Sequence, residues 1–385
     1  MQTYLNIIMS FDFLQTQNIL FWIVAVIAVV TFFIQLYYYL FVFRKVGLKK
    51  NTEFDIPNPT EPVSVIICVQ NEADNLKHFI PLILEQNYTE YEVVIVSDSS
   101  TDDSDDILEF AKGKYQNLEV RKLIAAGKPA HGKSVVLGVG IKAAKYDKII
   151  LTDSNCRPGK NWLKSIAAGL NKSDIVFGYT KYTATKFVRT ANFFESLLRL
   201  GNALAGKPYI STGENSGFNK ELFFSQKGFN SMLRKQDKVE QVFFNSVSDK
   251  ENTAVVLLPD AINESSLKLS FKDWCMDFLK GMYSQRLFRK NTRHKRLPEI
   301  ISRTLFYLSI PVAVYFSIQN LYILGGIAGL FLIRLLIQAI IFNSAQKVLT
   351  EEKLVLRTIF WDFYSIPVYF FLFLSFRRRK SFSYS

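Results

Sequence analysis

The sequence predicts an α/β domain with a largely parallel sheet, flanked on both sides by helices apolar enough to enter a membrane. Three short apolar runs in the middle of the chain, residues 63–69, 93–97 and 148–152, each have the length of a buried parallel strand. Helical patterns lie between these runs, and polar or acidic residues follow each of them. Alternating strands and helices of this kind form a doubly wound sheet, which binds ligands at the carboxyl ends of its strands.

Four polar residues come directly after the predicted strands, namely Asn71, Glu72, Asp98 and Asp153. Because the carboxyl ends of parallel strands meet at one edge of a sheet, we expect these side chains to face a single crevice. The alternative for Glu72 and Asp98 is a purely local role as helix-start and turn caps.

The remaining elements of this domain are predicted in chain order. Helices are expected over about 72–86, 107–112 and 134–144, with a strand near 118–124. Beyond residue 173 the pattern indicates a strand over 174–179, an amphipathic helix over 188–204 and a late strand over 253–258. Residues 210–229 mix glycines with aromatics, which predicts a wall built from loops.

Apolar segments bracket this region. Residues 19–43 carry no charge, and about 20 such residues span a bilayer as a helix. A cleaved signal peptide is the alternative, but the apolar core is too long and no basic region precedes it. Residues 304–318 and 321–342 predict a membrane hairpin, whereas a third run, 359–376, is interrupted by Asp362 and Pro367.

Basic residues cluster at both ends of the middle region: Arg44, Lys45, Lys49, Lys50, Arg286, Arg289, Lys290, Arg293, Lys295 and Arg296. The positive-inside rule therefore places residues 44–300 in the cytoplasm. If the third run crossed the membrane, the basic residues 377–380 would lie outside, against the rule. An interfacial or re-entrant segment would avoid this, and both possibilities stay open.

The net charge of +13 does not indicate nucleic-acid binding, because much of the excess lies beside membrane segments and the middle region has no zinc-ligand spacing. The three cysteines, Cys68, Cys156 and Cys275, follow no paired spacing, as expected in a reducing compartment. A stripe of apolar residues at helical spacing predicts a helix that lies in the membrane interface or packs on the domain: Leu267, Phe271, Trp274, Phe278 and Met282.

We divide the chain into four parts on this basis. They are an N-terminal membrane anchor (1–45), the α/β domain (46–265), an amphipathic and basic segment (266–300), and a C-terminal hairpin with the third apolar segment (301–385).

Four motifs in order resemble those of the family 2 glycosyltransferases. PVSVIICVQNE at 62–72 is similar to their opening strand and turn, and VIVSDSSTDDS at 94–104 to their second strand and nucleotide-contacting turn. GKSVVLGVGIKAA with IILTDSNCRP, at 132–144 and 149–158, resembles their GKxxALNxGI and DxD segments. ENSGFNKELFFSQKGF at 214–229 resembles the acceptor-side block.

The resemblance covers about residues 60–260 and implies a GT-A fold acting on a nucleotide-activated sugar, commonly a UDP-sugar. It implies that Asn71, Glu72 and Asp98 contact the donor nucleoside. The acceptor is expected to be lipid-linked or a glycan, and the chain to be an integral protein of a bacterial inner membrane with its catalytic domain in the cytoplasm.

The resemblance also implies a metal site. Asp153 and Asn155 occupy the DxD positions, where oxygen ligands hold Mg²⁺ or Mn²⁺ against the donor diphosphate. Asn155 replaces the second acid, so one charge is missing and weaker metal binding is expected.

Transfer with inversion requires a carboxylate that takes the proton of the attacking hydroxyl. Family members carry an ED motif before an apolar helix, and the matching KQDKVEQVFFNSV at 235–247 lacks the doubled acid. Glu240 is the expected base and Asp237 its substitute, with a solvated carboxylate at a helix start as the alternative for either. These departures leave open a catalytically silent relative that only binds a nucleotide sugar.

Processive family members carry QxxRW, which QRLFR at 285–289 only approximates, so transfer of a single sugar is expected. Residues 127–134 match the P-loop pattern GxxxxGK[ST], which makes a nucleotide hydrolase the other alternative. That loop follows the third strand instead of the first, and a hydrolase leaves the other motifs unexplained. We expect Lys133 to contact the donor's phosphates and His131 to be a loop residue.

Overall fold

The structure, a computed structural model, describes residues 19–49, 61–124, 131–229, 238–318 and 320–378. The strands are β1 Val63–Val69, β2 Tyr91–Asp98, β3 Leu118–Leu123, β4 Lys148–Leu151, β5 Cys156–Arg157, β6 Ile175–Phe177, β7 Thr180–Tyr182, β8 Ser216–Asn219, β9 Thr253–Val255 and β10 Asn263–Ser265. The helices of the α/β region are α2 Ala73–Leu84, α3 Ser104–Lys114, α4 Lys133–Ala143, α5 Trp162–Leu170, α6 Lys186–Leu204, α7 Lys220–Ser225, α8 Val239–Val247 and α9 Phe271–Ser284. Four long apolar helices flank it: α1 Ile19–Leu48, α10 Leu297–Ser317, α11 Leu321–Val348 and α12 Val355–Arg378.

Seven strands form one sheet in the order β3-β2-β1-β4-β8-β6-β9. β1 lies parallel to β2 and β4, and β2 lies parallel to β3, so the first half of the sheet is parallel. β8 runs antiparallel to both of its neighbours. A small sheet of order β5-β10-β7 lies apart from the large one. The predicted α/β fold class is thereby confirmed.

The central strands form because their side chains are apolar on both faces. Val65 on β1 is fully buried between Val93 of β2 and Ile150 of β4. One face is covered by α2, α3 and α5, and the other by α4, α6 and α8, which gives two separate apolar cores. A strand enclosed in this way reads as a continuous apolar run, which is why the sequence shows it clearly.

Two sequence expectations were wrong in detail. Residues 210–229 contain helix α7 and strand β8, which lies inside the large sheet between β4 and β6. The segment 174–179 divides into β6 and the start of β7, which belong to different sheets. Strands of three or four residues that include glycine carry too little periodicity for a sequence to reveal them.

Four helices are long and apolar enough to cross a membrane. α1 extends past the predicted anchor, and its π-helical stretch Tyr38–Phe43 packs on α6 through a contact of Phe43 with Phe194. α10 begins at Leu297, earlier than predicted, and thereby includes Glu299 and Arg303.

A buried ionic cluster joins these helices. Asp362 of α12 accepts hydrogen bonds from Arg334 of α11 (2.6 Å) and from the hydroxyl of Tyr307 of α10 (2.7 Å), and it pairs with Arg303 (3.3 Å). Arg334 also donates to Gln35 of α1. Two arginines therefore neutralise Asp362, the carboxylate that interrupts the third apolar run. Their charges offset the free energy that burying this carboxylate costs.

Helix α12 lies alongside α9 of the α/β region. Their aromatic side chains meet in the same order along both helices, with ring centroids 5.6 Å apart for Trp274 and Trp361, 5.1 Å for Phe278 and Tyr369, and 4.7 Å for Tyr283 and Phe376. Just before α12, Glu351 binds the hydroxyl of Tyr179 and the guanidinium of Arg189. Both ends of α12 therefore touch the same α/β region.

Candidate active site

The predicted site residues gather where β1, β2 and β4 end. Asp98 is the last residue of β2, and Asp153 lies two residues after β4. Lys133 begins α4, and Glu240 stands in the first turn of α8. All four charges act on the thiol of Cys68 near the end of β1, which places them around one point.

Lys133 connects two of these carboxylates. Its Nζ lies 3.0 Å from Oε1 of Glu240 and 3.8 Å from Oδ1 of Asp153. Burial alone would lower the pKa of Lys133, but the two carboxylates outweigh burial and raise the pKa well above its usual value. The amine therefore stays charged and can bind phosphate oxygens.

Glu240 is almost completely buried and keeps one oxygen free for a ligand. Its Oε2 has no hydrogen-bond partner among the described residues. Gly213, at φ +83°, passes so close that a Cβ on it would lie 2.5 Å from the Glu240 Cγ. Only glycine fits there, because it has no Cβ and adopts positive φ without strain.

Asp98 is held by His131, which the sequence suggested was a loop residue. The backbone nitrogen of His131 lies 2.9 Å from Oδ2 of Asp98, and its Nδ1 lies 2.7 Å from Oδ1. Asp98 is 4% exposed, so its orientation is fixed by these bonds before any ligand arrives.

Asn71 and Glu72 form the turn between β1 and α2. The side-chain oxygen of Asn71, at φ +53°, accepts a hydrogen bond from the backbone of Thr101 (2.7 Å), and the Glu72 nitrogen donates to Ser104 (2.9 Å). These bonds tie the turn to the acidic loop that follows Asp98. An open cavity of about 400 Å³ adjoins this turn.

Asn155 does not point at Asp153 as a ready-made second ligand. Its side-chain oxygen accepts a hydrogen bond from the hydroxyl of Ser265 (3.0 Å), and its backbone oxygen accepts from Ser266. Asn155 thereby fixes the strand β10 to the loop after β4. Asp237 lies outside the described residues.

The carboxylates of this site provide only part of the ligand set of a divalent cation. Among the residues that the structure describes, no group of three or more His, Cys, Asp or Glu side chains could hold a metal ion. Asp153 remains as a half-exposed carboxylate. Mg²⁺ sites that bind phosphates commonly use one or two carboxylates and complete the shell with phosphate oxygens and water, and Asp153 fits that arrangement.

The environment of Cys68 disfavours a nucleophilic thiolate. Burial raises the pKa of Cys68 to about 12. Because the thiolate is the strong nucleophile, we assign Cys68 no part in covalent catalysis.

A second cavity of about 160 Å³ lies on the other side of Glu240 and Gly213. The chain neighbours of those two residues, Gln241 and Glu214, line it together with Lys238. Glu214 accepts a hydrogen bond from the hydroxyl of Tyr182 (2.5 Å). Burial first, and then the charge of Asp153, raise the pKa of Glu214 to about 7. We call this space the acceptor-side cavity.

Sequence reasoning missed Glu214, Tyr182 and the role of His131. Glu214 begins the quoted block at 214–229, but a single glutamate in a stretch predicted as loop gave no sign of burial. The pairing of His131 with Asp98 joins residues on different elements, which no local pattern reveals.

Comparisons with known proteins agree with this geometry. Residues 64–234 match the family model described as Glycosyl transferase family 2. We therefore identify this region as a family 2 glycosyltransferase domain, which confirms the resemblance found in the sequence.

Two curated relatives are similar over part of the chain. Glycosyltransferase AglE of Haloferax volcanii is 27% identical over 142 residues, which are 36% of this chain and 45% of that protein. Poly-beta-1,6-N-acetyl-D-glucosamine synthase of Staphylococcus epidermidis is 29% identical over 99 residues, 25% of this chain and 22% of that one. The chain thus spans less than half the length of these relatives.

A solved structure has the same fold. The mannosyltransferase PcManGT of Pyrobaculum calidifontis, in complex with GDP-Man and Mn²⁺, superposes with a TM-score of 0.57 at 18% identity. The match covers 90% of this chain and 99% of that one. The GT-A fold with flanking apolar helices is thereby confirmed.

Proposed function

We propose that this protein is a membrane-bound glycosyltransferase that moves a single sugar from a nucleotide-sugar donor, most simply a UDP-sugar, to a lipid-linked or glycan acceptor. The observation that carries the proposal is the position of Lys133 between Asp153 and Glu240, beside Asp98, at the carboxyl edge of the sheet. One ammonium and three carboxylates there can hold a diphosphate and a sugar at once.

In this proposal the donor nucleoside is bound by Asp98, with Asn71 and Glu72 shaping the turn beside it. His131 fixes Asp98, so the carboxylate is already oriented to accept hydrogen bonds from ribose or base. Lys133 binds the diphosphate.

A divalent cation, Mg²⁺ or Mn²⁺, would be held by Asp153 with the donor diphosphate. When bound, it neutralises the charge of the departing diphosphate. We propose that Asn155 contributes chiefly by positioning the loop that carries Asp153, because its amide oxygen is used by Ser265.

Glu240 is the proposed base. Lys133 pairs with its Oε1, and its free Oε2 can accept the proton of the acceptor hydroxyl. The hydroxyl oxygen then forms a bond to the anomeric carbon while the bond to the diphosphate breaks on the opposite face. The product has inverted configuration, and the nucleoside diphosphate leaves.

The catalytic region would face the cytoplasm, since the basic clusters lie at its two membrane boundaries. We infer three crossings, by α1, α10 and α11, with α12 lying along the interface beside α9. This arrangement places the basic residues 377–380 on the cytoplasmic side, in agreement with the positive-inside rule. A fourth crossing would place them outside, against that rule.

A catalytically silent relative is the second candidate. It is favoured by the side-chain oxygen of Asn155, which is bound to Ser265, and by the single carboxylate at the presumed cation position. A P-loop hydrolase is less well supported, because β3, the strand before Lys133, is at the sheet edge and Lys133 is bound by carboxylates.

These candidates differ in nucleotide release. We expect membranes that contain the protein to release a nucleoside diphosphate from one sugar donor of a panel, with Mn²⁺ present. Asp153→Asn should abolish that release. A silent relative would bind a donor without release, and a hydrolase would release phosphate from a nucleoside triphosphate.

A further inference from the structure

A large apolar groove opens beside the N-terminal half of α10. It has a volume of about 990 Å³ and lies between α9, α10 and α12. Aromatic and aliphatic side chains form its walls, including Leu308 of α10 and Phe370 of α12, which are 59% and 58% exposed. We call it the lipid groove.

The mouth of the lipid groove is positively charged. Arg286, Arg293 and Arg296 line it together with His294, and none of the described aspartates or glutamates does. Arg296 is already paired with Glu195, but Arg286 has no carboxylate partner in the described part of the chain and lies over the ring of Phe376 (4.4 Å). The Nε of Arg293 is buried and lacks a partner among the described residues. An apolar groove with such a mouth complements an anionic head on an apolar chain.

The lipid groove continues into the acceptor-side cavity. Phe278, Met282, Gln285 and Arg296 line both spaces. The acceptor-side cavity in turn ends at Glu214 and Gln241, the chain neighbours of Gly213 and Glu240. The acceptor-side cavity therefore adjoins both the lipid groove and the two segments that carry Gly213 and the proposed base.

We propose that the lipid groove binds the acceptor of the reaction, a lipid with a phosphate at its head. The apolar chain lies between α10 and α12, the phosphate meets Arg286 and Arg293, and the group beyond it enters the acceptor-side cavity. This inference rests on the proposed function, because it assigns the acceptor of that same site.

Charge complementarity favours a lipid phosphate over an uncharged lipid or a soluble glycan. A soluble glycan needs no apolar walls, and an uncharged lipid provides no anionic partner for the arginines. Ordinary anionic phospholipids share the phosphate, so the test must separate them from a single-chain lipid phosphate.

Binding of hexadecyl phosphate to the purified full chain in detergent, followed by native mass spectrometry, tests this assignment. Hexadecanol and phosphatidylglycerol are the comparison ligands. We expect hexadecyl phosphate to bind at least about tenfold more tightly than either. Equal binding of hexadecanol, or of phosphatidylglycerol, would overturn the proposal.

Two pairs of variants locate the binding. Leu308→Trp fills the groove, whereas Leu305→Trp adds the same bulk to α10 at a residue that does not line it. Arg286→Gln removes a charge at the mouth, whereas Lys347→Gln removes one from an exposed position outside it. We expect the first member of each pair to weaken binding by about tenfold and the second to leave it unchanged.

Donor binding is measured on the same variants by thermal shift with UDP. Lipid-phosphate binding that Leu308→Trp weakens about tenfold, with UDP binding retained, supports the groove. If hexadecyl phosphate binds but no nucleotide does, the proposed function fails while the groove stands. If nucleotide binds, but hexadecyl phosphate has the same affinity for Leu308→Trp and for the unchanged protein, the groove assignment is wrong. The proposed function is then unaffected.

Discussion

The ammonium of Lys133 and the carboxylates of Asp153 and Glu240 come from three different elements, α4, the loop after β4, and α8. Their contacts concentrate one positive and two negative charges in a small, largely closed space. A diphosphate that enters adds negative charge, which a divalent cation and Lys133 together can offset. From these charges we expect the donor and the cation to bind together.

Glu240→Gln tests the proposed base. Loss of a general base typically lowers a rate by about 100-fold to 10,000-fold, and we expect sugar transfer to fall within that range. Donor binding should change little, because Lys133 and Asp153 remain. The measurement is nucleoside diphosphate release under saturating donor.

Glu251→Gln is the matched control, since the Glu251 side chain is 87% exposed and lies away from the site. Transfer by Glu240→Gln at the unchanged rate, with Glu214→Gln inactive, would assign the base to Glu214.

The pH dependence of cation binding tests Glu214. With a pKa of about 7, its carboxyl is largely neutral at pH 6 and largely ionised at pH 8. The ionised form adds negative charge near Asp153, so Mn²⁺ affinity in the presence of UDP should rise with pH by about threefold to tenfold. Titration of Mn²⁺ by electron paramagnetic resonance at both pH values measures this.

In Glu214→Gln that rise should be smaller, because the amide does not titrate and only the terminal phosphate of UDP still does. The same increase in both proteins would show that another group causes it, and the account of Glu214 would be wrong.

At the scale of elements, the membrane helices are held by charges as well as by apolar packing. The carboxylate of Asp362 stands against Arg303 and Arg334, and Glu299 lies 3.5 Å from Arg303. Two positive and two negative groups thus balance in a buried cluster. Removing one partner leaves the others unpaired, which costs more than the pair contributes.

Asp362→Asn should therefore destabilise the whole chain by about 3–5 kcal/mol. We expect a clear fall in the unfolding temperature in detergent, measured by fluorescence-detected size exclusion after heating. Glu352→Gln, an exposed carboxylate close to the start of α12, is the control and should unfold like the unchanged protein.

A double variant that restores the charge balance of the buried cluster tests the same explanation from the other side. Asp362→Asn combined with Arg334→Gln should recover part of the lost stability. If the single variant is as stable as the unchanged protein, the cluster does not hold the helices together.

The position of α12 can be tested by the location of its C-terminal end. Its contacts with α9 extend from Trp361 to Phe376, about 22 Å along the helix axis, so both ends should stay on the cytoplasmic side. A fluorescent protein fused after Ser385 should be fluorescent in the cytoplasm, and an alkaline phosphatase fusion at the same position should be inactive. The reverse pair of results would show that α12 crosses the membrane.

The sequence allowed the parallel half of the sheet and the helices that cover it to be predicted, because buried parallel strands read as long apolar runs. β8, a four-residue strand that includes Gly217, and the early start of α10 could not be predicted. β8 forms by pairing with β4 and β6, and the first turns of α10 carry Glu299 and Arg303, of which Arg303 pairs with Asp362 of α12. These contacts join distant parts of the chain. Arg334 inside the predicted hairpin was an available sign of that buried cluster.

In the candidate site too, some features could be predicted from the sequence and others could not. Asp98, Asp153 and Lys133 could be placed from the strands and helices that carry them. The rotation of Asn155 toward Ser265 and the burial of Glu214 depend on β10 and β7 in the small sheet, whose strands are two or three residues long. Such strands leave no readable period in a sequence.

At the scale of the whole molecule, the chain combines an α/β domain with long apolar helices. The lipid groove and the acceptor-side cavity share lining residues, and Glu240 lines a third, smaller space. The donor side is polar and charged, the acceptor-side cavity is mixed, and the lipid groove is apolar with a basic mouth. This gradient suits a reaction between a water-soluble activated sugar and an acceptor that stays in the membrane.

Direct binding of nucleotide sugars to the purified chain, by calorimetry with Mn²⁺ present, tests the central claim that these acids and Lys133 form one donor site. We predict that one nucleotide sugar binds and that Asp98→Asn and Asp153→Asn each weaken it by about tenfold or more. Binding of a nucleoside triphosphate that needs Lys133 but is indifferent to both aspartates would contradict the account.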